Sequence, residues 1–599
     1  VSGASGGDTG VAGSFALNYA EMETEAGLAS GALLDAKGGD VTLNAASVSE
    51  SKVSATANAA AGGTGVGISI GLNLTPNNDT CAMVEGTLIG GANLTVSGTS
   101  SDDSGTVAIG GGKAADGTGV GGALAITVAD NVTEASVSAG EAINVSGDYV
   151  LTAVHHGASS TQAKGAAAGS DGAVGVAIGL SFVSDTARAS IDRDVSAGGA
   201  VSLSARGDGS SKAEGIASAA GEKAAKDGSG ADDQAGKATG LANKQSGESN
   251  KVGKSANADS EGDGGDAVSV GAALGLNIAS SVSEARIGAV TITAGKAVQL
   301  HAENNMDALA VGDGTAALGK DITDGTTVGI GIAINVADME NRAMVDAGAT
   351  VNAQGFKAEA LMKDVGGDTT HKFGATAVSG ASGGDTGVAG SFALNYSEAT
   401  TQAVLPVGAT VNAGSGDVAL KAQNTSEAAV SATAKAGAGE TGVGVSIGLN
   451  IVGDASSRAA LEGTLTGGNN LTLQAEGSHT LTTSAIGGGA AKDGTGVGGA
   501  LALTVAVNND SEAQVLGGNA LEISGAFDAQ ATHHGSAVTR AEGQGKGSDA
   551  AVGVALALSF VDDQAVASLD RDLKAGGAVS LSARGDGSSK AEGIASAAG

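Results

Sequence analysis

The sequence predicts an all-β fold, a repetitive parallel β-solenoid rod, and three observations carry that prediction. The stretch Thr441-Gly-Val-Gly-Val-Ser-Ile-Gly-Leu-Asn-Ile451 alternates with period two. Val443, Val445, Ile447, Leu449 and Ile451 fall on one face, and Gly444, Ser446, Gly448 and Asn450 on the other, as in a β-strand. This element recurs ten times, with its first large residue at Val11, Val66, Val120, Val176, Val270, Val328, Val388, Val443, Val497 and Val554. A chain that repeats one strand at a period of about 55 residues belongs to the stacked-repeat architectures. The third observation is composition. With 103 Gly, no Trp, 3 Tyr and 2 Pro in 599 residues, the core is left to Val, Ile, Leu and Ala, which suits thin sheets packed in layers.

Successive copies of the strand lie 55, 54, 56, 94, 58, 60, 55, 54 and 57 residues apart. Residues 1–222 return as residues 378–599, so six units make one long period and the chain reads as a window on a longer protein. Each unit runs from the small/large strand through an Asp or Asn, as at Asp185 or Asp562, to a half-buried run such as Arg188-Ala-Ser-Ile191. A Gly-punctuated pair follows, then an Ala-rich run such as Ala429–Ala436 and a Gly-rich acidic turn. The Gly, Asn and Asp breaks predict four or five short strands per unit, leaving no room for helices. A 55-residue unit is long for one slim coil, so two or three coils per unit are expected. The alternative is a tandem array of small antiparallel modules, in which the Ala-rich run, the acidic turn and the next strand form a hairpin. The domain division is 1–220 and 266–599 as solenoid, with 221–265 a Gly-, Ser-, Lys- and Asp-rich insertion expected to be a flexible surface loop.

Gly abundance without a three-residue period excludes collagen. A 41% apolar content with regular alternation argues against disorder. Net charge of −33 argues against nucleic acid, which needs a basic footprint. It also makes divalent cations the natural counterions. Cys81 is the one cysteine and cannot pair within the chain. No run of 18 apolar residues crosses a membrane as a helix, and no signal peptide opens the chain.

The runs Ala36-Lys-Gly-Gly-Asp-Val-Thr-Leu-Asn-Ala45 and Ala197-Gly-Gly-Ala-Val-Ser-Leu-Ser-Ala205 resemble the repeats of filamentous haemagglutinin-type adhesins. The whole unit, with Gly-Val-Gly-Val-Ser-Ile-Gly-Leu-Asn followed by an Ala-x-Val run and Gly-Gly-Asp-Val-x-Leu, resembles giant leukotoxin-type filamentous adhesins of Gram-negative bacteria. The resemblance covers nearly all of the chain outside the insertion. It implies an exported, very long, β-helical cell-surface protein, and it brings no catalytic residues.

Arg206-Gly207-Asp208 and Arg584-Gly585-Asp586 match the tripeptide that integrins recognise, and the following Gly-Ser supplies an exposed turn. The competing reading is a chance tripeptide copied by duplication. His155-His156 and His533-His534 are paired copies; neighbours on a strand point to opposite faces, so they read as turn histidines rather than one metal site. Asp116, Asp171, Asp324 and Asp493 lie in the acidic turns and are candidates for calcium, the one cofactor this composition could hold. The competing reading is solvated Asp-Gly turns, because the calcium β-roll nonapeptide is absent. No Ser/His/Asp set, P-loop or dinucleotide fingerprint appears. With 2% aromatics a polysaccharide-cleaving groove lacks its sugar platforms.

These observations point to a non-enzymatic extracellular filament or stalk of a large bacterial surface adhesin. Its expected partners are a host or neighbouring cell surface, or its own copies. The alternatives are a self-associating matrix or sheath filament and, in another class, a leukotoxin-like secreted effector. One packing expectation is sharp. Gly67, Gly71, Gly271, Gly275, Gly329, Gly331, Gly444 and Gly448 would weaken an exposed strand, so a second sheet should lie close against this small face. The large face should then fill a thicker core opposite.

Overall fold

The computed structural model describes residues 1–221, 267–318 and 324–599. The insertion at 221–265 lies outside these described residues apart from Gly221, which ends a strand. The fold is all-β, with long parallel sheets built from consecutive repeats, as in a β-solenoid. Among the described residues every strand pairing is parallel apart from one isolated antiparallel bridge, Val365–Asp368. The tandem antiparallel array is thereby excluded.

One unit is one coil, not two or three. In the coil that begins with the organising strand, Thr441–Leu461 is a single 21-residue strand. A three-residue strand, Thr464–Thr466, follows, and then a second 21-residue strand, Leu471–Ala491. Gly453 and Asp454, expected to break the unit, lie inside the first long strand and Gly477 inside the second, while Gly463 and Gly467 to Asn470 flank the short strand. The small/large strands of all ten coils make one ten-stranded sheet, here called the front sheet, running from Thr9–Leu28 to Ala550–Leu569. The Ala-rich strands make a twelve-stranded back sheet. The short strands line the third side.

The hairpin of the alternative reading is instead a β-arch. Leu471–Ala491 and Thr495–Val515 are joined by the acidic turn, yet they do not hydrogen-bond to each other. Each pairs with the same element one coil on, Leu471–Ala491 with Phe527–Lys546 and Thr495–Val515 with Ala550–Leu569, and their side chains face each other across the core. The registers also move two repeat anchors. Val120 pairs with Val174 and Val497 with Val552, so these valines, rather than Val176 and Val554, hold the equivalent position.

The core is a wedge. At its thick end the last residues of the front strands meet the short strands and the first residues of the back strands. There a continuous cluster includes Tyr149, Leu151, Ile191, Ile287, Phe356 and Phe527, all buried. At the thin end the two sheets touch backbone to backbone. A Cβ placed on Gly444 would lie 2.1 Å from the Gly488 carbonyl oxygen, and one on Gly67 would lie 2.0 Å from that of Gly111. Only glycine allows this approach. The small face is therefore packed on a second sheet, as the sequence predicts. The large face is not in any core: Val443, Val445, Ile447 and Leu449 point outward, and Val445 is exposed.

Between the two ends polar ladders run along the core beside small apolar clusters. The Asn277 amide donates to Asn335 Oδ1 (2.9 Å), Asn335 to Asn395 (2.8 Å) and Asn395 to Asn450 (3.1 Å), an asparagine ladder one rung per coil. Identical coils bring identical amides together, so each of these asparagine amides finds an acceptor in the next coil. Arg193 closes the turn after the front strand. Its guanidinium donates to the carbonyls of Gly86 (2.7 Å), Val84 (3.0 Å) and Glu85 (3.1 Å). Arg571, its copy 378 residues on, does the same for Gly463, Leu461 and Glu462.

Candidate functional site

Two features of this scaffold stand out as candidate sites: the outer surface of the front sheet and a buried histidine–carboxylate cluster. The outer surface is built by register. Val11, Val66, Val120 and Val174 begin a row that is valine in all ten strands, ending at Val552. The rows through Ile447 and Leu449 hold only Phe, Ile and Leu, and the row through Ile451 holds Tyr, Phe, Leu, Ile and Val. The row between valine and Ile447 alternates small and large, as Gly13, Ile68, Gly122, Val176, Ala272 and Ile330, and keeps that alternation to Val554. A threonine-rich row borders the apolar rows on one side, with Thr64, Thr118 and Thr441. An acidic border, including Asp338, Glu398 and Asp454, runs along the other.

The buried cluster sits at mid-strand. His479 and His533 come from consecutive back strands, and Asp563 comes from the front strand opposite. His479 pairs with Gly535 and His533 with Gly477, so each imidazole has a glycine as its neighbour in the sheet. A Cβ on Gly535 would lie 2.0 Å from Asp563 Oδ2, and one on Gly477 would lie 2.8 Å from His533 Nδ1. The glycines make the space that the side chains fill. His479 Nε2 lies 3.4 Å and His533 Nε2 3.5 Å from Asp563 Oδ1, and the ring centroids are 5.2 Å apart. Ser511 Oγ lies 3.1 Å from His533 Nδ1, and the Asn509 amide donates to Asp563 Oδ1 at 3.2 Å. His479 Nδ1, His479 Nε2 and His533 Nε2 are buried without a hydrogen-bond partner. Burial pulls the His479 pKa down to about 4, against the pull of Asp563, so this imidazole is neutral at physiological pH.

The first long period carries the same position with one residue changed. Asp102 stands where His479 stands, beside His155 and Asp185. His155 Nε2 is 3.1 Å from Asp185 Oδ1, its Nδ1 is 3.6 Å from Asp102 Oδ2, and Ser100 Oγ lies 2.7 Å from Nδ1. Burial pushes His155 down, but the Asp185 and Asp102 carboxylates outweigh it and hold the pKa above the ordinary value. One cluster thus sets one histidine between two carboxylates, and its copy sets two histidines on one carboxylate.

The paired histidines are strand residues rather than turn residues, and they do point to opposite faces. His155 and His533 are buried in the core, whereas His156 and His534 lie on the outer face of the back sheet against Asp208 and Asp586. The carboxylates that meet His155 come from other coils, which spacing along the chain does not reveal. Arg206-Gly207-Asp208 likewise lies within Val201–Gly221 rather than in an exposed turn. Asp208 is nearly buried; burial raises its pKa, but hydrogen bonds from His156 (2.6 Å) and Lys363 outweigh this and hold it low. Arg584 and Asp586, in the strand Val579–Ala598, are exposed and pair with each other at 2.8 Å. The turn aspartates Asp116, Asp171, Asp324 and Asp493 are all exposed. Among the described residues the convergent metal-ligand group is His479, His533 and Asp563, and none of those four joins it.

Among the described residues no helix is long and apolar enough to cross a membrane. No protein-family model, curated protein or solved structure matches this chain.

Proposed function

We propose that this chain is a segment of an extracellular structural filament or stalk of a bacterial surface adhesin. The observation that supports this is the stack of ten coils, each paired in parallel with the next along most of its long strands, with a few local bulges. Such a stack resists bending and grows only along its axis. The adhesin assignment rests on the resemblance of the repeats. Strands of 20 residues span about 66 Å at roughly 3.3 Å per residue, and coils rise about 4.8 Å, so the filament is a flat ribbon rather than a thin rod. Adding one further six-coil period should lengthen the particle by about 29 Å at constant width. Small-angle scattering or negative-stain imaging reads this directly, and a particle that instead gains a separate bead would overturn the reading.

The outer surface of the front sheet favours self-association as a second reading. Five apolar rows across ten strands cover about 1,600 Å² of flat surface, at roughly 33 Å by 48 Å. The largest apolar patch on an ordinary monomer is about 300–600 Å². Parallel sheets are ordinarily covered on both faces, and two such surfaces face to face reach the size of a stable dimer interface. The occupant is a second copy of this chain. A bilayer with anionic lipids is disfavoured by the acidic border and the net charge of −33. Rotation by a half-turn about the coil axis sets each acidic border against the partner's threonine border. It also sets the Leu/Ile row through Leu449 over the Gly13, Gly122 and Gly390 hollows. Rotation about the strand direction would set acid against acid. Sedimentation should show a dimer or larger, dissociated by Val445→Asp. A monomer at high concentration, or flotation with phosphatidylserine vesicles, would overturn the pairing.

A further inference from the structure

We infer that His479, His533 and Asp563 form a binding site for a divalent transition-metal ion of the zinc class. Three observations carry this. First, the donor set is two imidazole nitrogens and one carboxylate oxygen, which suits zinc and its neighbours and suits calcium or magnesium poorly. Second, the ligand atoms converge, one from each residue within 4.8 Å of the others. Bonds of about 2.0–2.1 Å in a tetrahedron place ligand atoms roughly 3.3–3.4 Å apart. The two Nε2 atoms stand 3.4 Å and 3.5 Å from Asp563 Oδ1. Third, both Nε2 atoms are buried without a hydrogen bond, a state that costs free energy unless something binds there. Ser511 on His533 Nδ1 and Asn509 on Asp563 are the outer contacts that orient metal ligands.

The duplicated position supplies an internal comparison. Asp102, His155 and Asp185 occupy the same places with a carboxylate for His479, and there His155 Nε2 lies close to Asp185 instead, at 3.1 Å. One side chain therefore separates a histidine whose two nitrogens face different carboxylates from a convergent set of metal ligands. Both imidazoles are buried, whereas Asp563, on the last strand of the front sheet, is partly exposed, so the site is reached from the carboxylate side. The fourth position falls to water or to Asn509, whose Oδ1 is buried and unpartnered.

The test uses the whole chain with Cys81→Ser, so that no thiolate contributes. The protein is unfolded in chelator, refolded with zinc or cobalt(II), desalted and assayed for bound metal. The chain with His479 should hold one equivalent, and cobalt should give the intense visible bands of a tetrahedral site. His479→Asp converts the site to the residue its own copy carries, so the chain should fold with unchanged circular dichroism and hold no ion. Asp102→His should raise the count to two. A refolded chain with no bound metal, a His479→Asp chain that keeps its ion, or an Asp102→His chain that stays at one equivalent would each overturn the assignment.

Discussion

Gly498 and Gly499 are neighbours on one strand, and the same substitution should act on them with opposite sign. Gly498 faces the back sheet, and a Cβ there would lie 2.0 Å from the Gln544 carbonyl oxygen and 2.4 Å from its carbon. Carbon does not approach backbone so closely, so the sheets must part by about 1 Å at a place where neither has a side chain to move. Overpacking of this kind costs about 1–3 kcal/mol. Alanine recovers about 0.4–1 kcal/mol through the unfolded chain. Gly498→Ala should therefore destabilise by about 1–2 kcal/mol. Gly499 faces outward, where the nearest atom to a Cβ is Val445 Cγ2 at 3.7 Å, an ordinary contact. Gly499→Ala should be stabilising by about 0.4–1 kcal/mol. Guanidinium melts of the two variants, compared by midpoint at equal slope, decide the matter. A neutral or stabilised Gly498→Ala would mean that the sheets are not in backbone contact. A Gly499→Ala as damaging as Gly498→Ala would mean that the front sheet has no open face.

Arg193→Met removes the donor for the Gly86, Val84 and Glu85 carbonyls and should cost about 3 kcal/mol or more in a denaturant melt; a loss below about 1 kcal/mol would show that water replaces the guanidinium. Asn335→Leu breaks the ladder at Asn277 and Asn395, and hydrogen exchange should rise in the adjoining coils while distant coils stay protected. Hydrogen bonds to Glu303 and Glu359 raise the His301 pKa to about 9, so its contribution is present in full below about pH 6.5 and is lost as pH climbs through 9. His301→Gln should flatten that alkaline loss. His371 behaves oppositely, because burial lowers its pKa to about 4: the unfolded chain takes up the proton first, and stability falls between about pH 6.5 and 4. His371→Gln should remove that acid slope, and an unchanged slope would place the loss at other groups.

The fold class was legible because parallel stacking needs a repeated strand, and the period-two pattern at Thr441–Ile451 is unambiguous. The close approach of a second sheet was legible for the same reason that Gly444 cannot be alanine. The coil number was not, because glycine was read as punctuation. Gly207 illustrates the error: within Arg206-Gly207-Asp208 it suggests a turn, yet it lies in an extended strand. A Cβ there would lie 2.7 Å from Ser283 Oγ, so it points across the core and a larger residue would displace that hydroxyl. The inside and outside of the front sheet were exchanged because bulk was equated with burial. In a sandwich whose spacing is set by Gly, Ala and Ser, the large residues have only the outer face to occupy. The histidine cluster was hidden by the same unknown. His155 meets Asp185 thirty residues on and Asp102 fifty-three residues back, and neither separation suggests contact until the coil length is known.

The duplication also separates what the scaffold requires from what it permits. Arg193 and Arg571 are the same residue because the turn carbonyls they satisfy are fixed by the coil path. Gly157 and Gly535 are the same because a Cβ at either would lie 2.3 Å or 2.0 Å from an aspartate oxygen. Those two glycines hold open a small polar chamber between the sheets, and the backbone register supplies its walls whatever lines it. Asp102 and His479 differ within that chamber, and the coils around them have the same course. A position that tolerates a carboxylate in one copy and an imidazole in the other is constrained by volume and hydrogen bonding rather than by one chemistry. This is why exchanging the two residues is a fair test of metal binding: each variant asks the fold for nothing that it does not already provide 377 residues away.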